Sequence, residues 1–133
     1  MAVLVRDYHG HDVDLSSPDQ VVAWFDEQAD AIMPHGGSGQ TIWIGPLDGP
    51  PVLRVDVDIE VDRAAMCWLP DGSSAAELES SEPISVYESP DTGLVTVPAE
   101  RVRVTASMAR AAVAEYAATG TRPGCVRWTN QSW

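Results

Sequence analysis

Between residues 52 and 62 the chain alternates without interruption: Leu53, Val55, Val57, Ile59 and Val61 are apolar, and Arg54, Asp56, Asp58, Glu60 and Asp62 are charged. Successive side chains of an extended strand point to opposite faces, so a period of two predicts a strand with one buried and one wet face. Such a strand fits an antiparallel sheet covered on one side; a parallel sheet buried on both faces reads as near-continuous apolar runs. The flanking segments suit that sheet. Residues 41–45 and 64–69 are strand-prone and are set off by the turns Asp48-Gly49-Pro50-Pro51 and Pro70-Asp71-Gly72. Residues 84–88 and 94–97 form a hairpin across Ser89-Pro90-Asp91-Thr92-Gly93. Residues 2–6 read as a first strand, 7–16 as a polar connection, 102–104 as a short extended piece and 125–128 as a last strand.

Two helices interrupt the strands. Ser17 is placed to cap one, with Pro18 at its first position, Asp19 at the positive end of its dipole and Gln20 at capping-box spacing. Val21, Val22, Phe25, Ala29, Ile32 and Met33 then fall on one stripe, and Pro34 with the glycine-rich residues 35–39 ends it. Thr105 caps the second, an alanine-rich helix over 106–118 with Met108, Ala112, Val113 and Tyr116 on its apolar side and Gly120 at its C-terminal end. The fold class is therefore α+β: an antiparallel meander sheet of about five to seven strands covered on one face by two helices. With 133 residues and 44% apolar content, residues 1–133 are expected to form a single domain around one core.

The net charge is −12, and all eight basic residues are arginine. That balance disfavours direct binding to nucleic acid or an anionic membrane and favours a basic protein partner, although acidity also serves solubility. No apolar run is long enough to span a bilayer, and Asp7 and His9 interrupt any signal-peptide pattern, so a soluble cytoplasmic protein, monomeric by default, is expected. Cys67 and Cys125 lie in apolar stretches and read as reduced core residues. Trp24, Trp43, Trp68 and Trp128 read mostly as core, and Trp133 at the terminus is unconstrained.

The sequence carries no GxSxG, Walker, HExxH or GxGxxG pattern, so no catalytic residue, cofactor or metal is assigned. The run His35-Gly36-Gly37-Ser38-Gly39 resembles a phosphate loop only in glycine content: it follows a helix and lacks the lysine. His9 and His11 with Asp12 and Asp14 offer imidazole and carboxylate ligands, which keeps a small metal-dependent enzyme open as an alternative. Asp56, Asp58, Glu60 and Asp62 share the polar side of the predicted strand, roughly 6–7 Å apart. They read as a solvated face, as a calcium site, or as an acidic stripe that meets a basic cleft on a partner. Residues 72–82, with Glu77, Glu79 and Glu82, read as an exposed acidic loop.

The C-terminal third resembles a known family. Val104-Thr105 before an alanine-rich helix, then Ala118-Thr119-Gly120-Thr121-Arg122-Pro123 and Val126-Arg127-Trp128, is similar to the ending of the Imm1-type immunity proteins of bacterial polymorphic toxin systems. The acidic strand, the turn Pro70-Asp71-Gly72 and Val97-Pro98-Ala99-Glu100 fit the same layout, and the resemblance runs over about residues 17–128. It implies a non-enzymatic protein that binds and inhibits a cognate toxin, in many cases a nucleic-acid deaminase. The charge then suggests toxin contacts at Asp56, Asp58, Glu60, Asp62, Glu77, Glu79 and Glu82. A stand-alone acidic regulatory or adaptor module is the other alternative.

Overall fold

In the computed structural model, which describes residues 2–130, the alternating segment lies at the centre of the sheet. In chain order the elements are β1 (Val3–Arg6), β2 (Asp12–Leu15), α1 (Pro18–Asp30), β3 (Gln40–Pro46), β4 (Leu53–Asp58), a 3-10 turn (Ile59–Val61), β5 (Arg63–Trp68), β6 (Ser73–Ala75), β7 (Ile84–Ser89), β8 (Gly93–Val97), α2 (Ala106–Thr119) and β9 (Trp128–Thr129). Seven strands pair antiparallel in the order β2-β1-β3-β4-β5-β6-β9. The hairpin β7–β8 joins by one parallel register, Gln40 opposite Tyr87. This is the α+β architecture expected from the sequence, with the hairpin added.

The strand at 52–62 is shorter than its alternation suggests. Gln40, the first residue of β3, pairs with Val57, and Asp58 pairs with Arg63, so past Asp58 the chain must turn back. Asp58 caps that turn by accepting from the Glu60 amide at 3.1 Å, and Asp62 closes it in the left-handed conformation at φ 51°. Aspartate enters that region more readily than most residues because its short polar side chain bonds locally. The turn moves Ile59 and Val61 off the core face, where they are 40% and 55% exposed.

Alternation holds elsewhere and sorts the side chains. Val3, Val5, Ile42, Ile44, Leu53, Val55, Val57, Ala64 and Met66 form one apolar face, against which α1 sets Val21, Phe25 and Ala29 and α2 sets Ala109, Ala112, Val113 and Tyr116. Trp68 meets the Tyr116 ring edge-on at 5.9 Å. Truncating a buried ring such as Phe25 to alanine would cost about 3–5 kcal/mol. The opposite face is partly covered as well: Ile84, Val86 and Val97 of the hairpin, with Val102, pack on Ala65.

The helix ends follow their capping residues. Ser17 accepts from the Gln20 amide at 3.3 Å, and the Gln20 side chain reaches back to the Ser16 amide at 2.8 Å. Thr105 accepts from the Met108 amide, and Gly120 adopts φ 72°, the left-handed cap. α1 stops at Asp30, before the expected Ile32 and Met33. Pro34 disfavours helical backbone at Met33, whose amide instead bonds to Gly37 O, leaving Ile32 69% exposed.

Two strands lie where loops are expected. β2 pairs with β1 inside the polar connection 7–16, and Ser73–Ala75 is a buried strand inside the supposed acidic loop. The last strand is Trp128–Thr129, and residues 102–104 contribute an isolated bridge between Val104 and Ala64. Trp24, Trp68 and Trp128 are half-buried at the rim of the core, Trp43 is half-buried beside Arg54 outside it, and Trp133 lies outside the described residues.

Candidate interaction surface

The four carboxylates of residues 56–62 do not share a face. Asp56 points to the back of β4 and is fully buried; Asp58 is half-buried at the strand end; Glu60 and Asp62 are exposed on the turn. The expected stripe is thus corrected to one interior aspartate and an acidic turn. Asp56 is held by three groups. Thr41, directly opposite on β3, donates its hydroxyl at 2.5 Å, and Arg54 contributes two contacts of 3.3 Å. Arg54 continues to Glu88 of β7 at 3.2 Å and lies 5.9 Å from the Trp43 ring centre. Burial pushes the Asp56 carboxyl above its ordinary range, while Arg54 and Thr41 pull it back. Removed from solvent under the hairpin, Asp56 ties three strands together through Thr41 and Arg54.

The acidic turn is held by neutral donors. Asp58 accepts from the Glu60 amide, Glu60 from the Ser38 hydroxyl at 2.9 Å, and Asp62 from the Ala106 amide at 3.1 Å. Partial burial and the neighbouring Glu60 push the Asp58 carboxyl up. Some other carboxylates meet arginine: Asp12 meets Arg6, Asp71 meets Arg122, and Arg110 holds the Asp26 carboxyl below its ordinary range.

The segment after β6 is anchored, not free. The amides of Glu77 and Leu78 both donate to Arg103 O, and Glu77 accepts from the Arg127 amide. Glu79 and Glu82 are exposed. Glu82 borders an open groove of about 520 Å³ with Val61, Arg63 and Ile84, next to the acidic turn. The structure therefore brings Glu82 toward residues 58–62 and leaves Glu77 engaged with the C-terminal segment.

A second group joins residues that the sequence reading treats apart, His9, His11 and His35, with Tyr8 and Tyr87, which it does not single out. Three loops meet at the end of the sheet where β3 begins: the β1–β2 turn, residues 34–39 and the β4–β5 turn. Here the chain's three histidines gather with two of its three tyrosines. His35 stacks on Tyr87 with centres 5.6 Å apart and planes 6° from parallel. Tyr87 meets Tyr8 edge-on at 5.6 Å, Tyr8 lies 4.0 Å from His9, and His9 stacks on His11 at 5.4 Å. No local pattern announces this row, because β7 delivers Tyr87 from the far half of the chain. It depends on Gly39, where a Cβ would fall 2.0 Å from the Ser85 carbonyl oxygen.

The His9–Asp14 segment is arranged by these contacts. Asp12 bonds Arg6, and His11 lies 3.5 Å from Asp7. Among the described residues no group of three or more histidine, cysteine, aspartate or glutamate side chains converges as a metal site. Cys67 is buried, whereas Cys125, expected in the core, is exposed on the loop after α2, because Pro123 and Val126 take the inward positions there. No helix of the described residues is long and apolar enough to cross a membrane.

Comparison with known families is consistent with these features. A family model described as Immunity protein Imm1 matches residues 9–130 of the 133. No curated protein matches the chain.

Proposed function

The chain belongs to the Imm1 family of immunity proteins, and from that premise we propose that it neutralises a nucleic-acid deaminase toxin by covering its basic substrate site. The observation that supports this reading is the family match over residues 9–130 in a chain of net charge −12. A deaminase acting on DNA or RNA draws an anionic strand into a basic groove and extrudes the target base into a pocket. An acidic protein is attracted to the same groove by the same field, which accelerates encounter and makes it sensitive to salt.

The chain performs no chemistry in this scheme. It binds one to one, as a monomer and as one domain of 133 residues, in the cytoplasm where the toxin's substrate lies. Asp58, Glu60, Asp62, Glu79 and Glu82 supply the steering charge, and Glu77 contributes while engaged with Arg127. Asp56 acts from inside by fixing the end of β4 behind the acidic turn. The test is co-expression with the product of the adjacent toxin-like gene, followed by pull-down and a cytosine or adenine deamination assay. Co-purification with loss of deamination is expected. A neighbour with no toxin-like partner, or a toxin that stays free and active, refutes the reading; capture of a toxin with another activity refutes only the deaminase assignment.

A further inference from the structure

We propose that the ring row Tyr8, His9, His11, Tyr87 and His35, together with the acidic turn beside it, is the face that grips the toxin, and that it does so by clasping arginine side chains on the toxin's basic surface. The proposal rests on the immunity reading and adds the surface and the chemistry of contact.

The row is unlike a core cluster. His9, His11 and His35 are exposed and Tyr8 and Tyr87 are half-buried, yet each ring touches another at 4.0–5.6 Å. Mutual stacking fixes these side chains in advance of contact, so little rotamer freedom remains to be lost on binding. Tyrosine is also among the side chains enriched at the energetic centres of interfaces. The acidic turn adjoins the row through the same loop: Ser38, three residues after His35, bonds Glu60. Ile59 and Val61 add exposed apolar surface beside the carboxylates.

Planar rings next to carboxylates that form no ion pair among the described residues match one side chain better than any other. Arginine is flat, weakly hydrated and forked, so it stacks on an aromatic face while bonding a carboxylate; lysine does only the second well. The chain makes this arrangement with its own arginines. Arg54 lies 5.9 Å from Trp43 while bonding Asp56, and Arg122 lies 5.6 Å from Trp128 while bonding Asp71. At the end of the sheet no arginine among the described residues pairs with both the rings and the acids, and a deaminase groove that holds a phosphate backbone would supply one.

The experiment measures binding of the catalytically inactivated toxin encoded next to this gene to wild type and to Tyr8→Ala, Tyr87→Ala, His35→Ala, Tyr87→Phe and Glu60→Arg, by surface plasmon resonance at low and high salt. Circular dichroism and thermal unfolding check that each variant is folded. Tyr8→Ala and Tyr87→Ala are expected to weaken binding about tenfold or more, chiefly through faster dissociation. Tyr87→Phe keeps the ring and is expected to lose less affinity than Tyr87→Ala, whereas Glu60→Arg slows association most at low salt. The exposed His35→Ala keeps the test valid if a tyrosine variant does not fold. Folded tyrosine and histidine variants that bind as wild type overturn the surface while leaving immunity intact. A wild-type protein that does not bind the toxin overturns both.

Discussion

Gly39 is the position where the attachment of the hairpin can be tested by a single methyl group. A Cβ there would lie 2.0 Å from the Ser85 carbonyl oxygen and 3.0 Å from its carbon. Carbon and carbonyl oxygen approach one another to about 3.3 Å, so the two backbones must part by about 1 Å or more. Parting them breaks the bond from the Tyr87 amide to Gly39 O, 2.9 Å long, which contributes about 0.5–1.5 kcal/mol. It also loosens Ile84, Val86 and Val97 from Ala65, and full burial of such side chains is worth about 1.5–3 kcal/mol each. Losing part of that burial, less about 0.4–1 kcal/mol gained by restricting the unfolded chain, leaves Gly39→Ala about 3–5 kcal/mol less stable. At about 3 °C per kcal/mol for a chain of this size, the melting temperature falls by about 10–15 °C. Gly37→Ala is the internal control. The three atoms nearest its Cβ would all belong to the His35 imidazole, the first at 2.8 Å, and displacing that exposed ring costs its stacking on Tyr87 but no backbone bond, so a change within about 1 kcal/mol is expected. Urea unfolding followed by tryptophan fluorescence measures both. A Gly39→Ala protein within about 1 kcal/mol of wild type, or a Gly37→Ala protein equally damaged, would refute the argument from close backbone approach.

Asp56 and the cysteines give two further expectations. Burial raises the folded Asp56 carboxyl above its ordinary value of 3.8, so between 3.8 and the folded value the native state holds the extra proton. Stability then falls as pH rises through that window, and Asp56→Asn lacks the loss. Denaturation at a series of pH values from about 3 to 7 should therefore show the stability of Asp56→Asn rising relative to wild type; a constant or opposite trend would mean that Arg54 outweighs burial. For the cysteines, maleimide labelling of the native protein should modify exposed Cys125 first and buried Cys67 only on unfolding, as read by mass spectrometry of digested protein. Early labelling of Cys67 would show that the packing over β5 opens readily.

What the sequence discloses about this fold is what local chemistry decides. Ser17, Thr105 and Gly120 mark helix ends because capping involves residues a few positions apart, and each acts as expected. Leu53, Val55 and Val57 show their face because strand alternation is local too. The same signal overshoots at Ile59, since the end of a strand is set by its neighbour: β3 has no residue left to pair beyond Gln40. Ser73–Ala75 is invisible for a related reason. Serine and alanine have little strand preference, and pairing with β5 and β9 makes them a strand. Of the candidate site residues, Glu60 and Asp62 are exposed as expected, while Asp56 is buried through Thr41, Arg54 and the hairpin, none of which the alternation reveals. The ring row was illegible because it joins residues 8–11, 35 and 87, which only the finished sheet brings together.

The two helices have a consequence for timing. They come from opposite ends of the chain, and the pair Asp26–Arg110 that links them is 84 positions apart. While the protein is being synthesised, the sheet face of Leu53, Val55 and Met66 has only α1 to cover it until residues past 106 leave the ribosome. The acidic turn waits for the same event, since Asp62 is tethered to the first amide of α2. A chain that stops short of α2 therefore leaves that face half open and the acidic turn untethered.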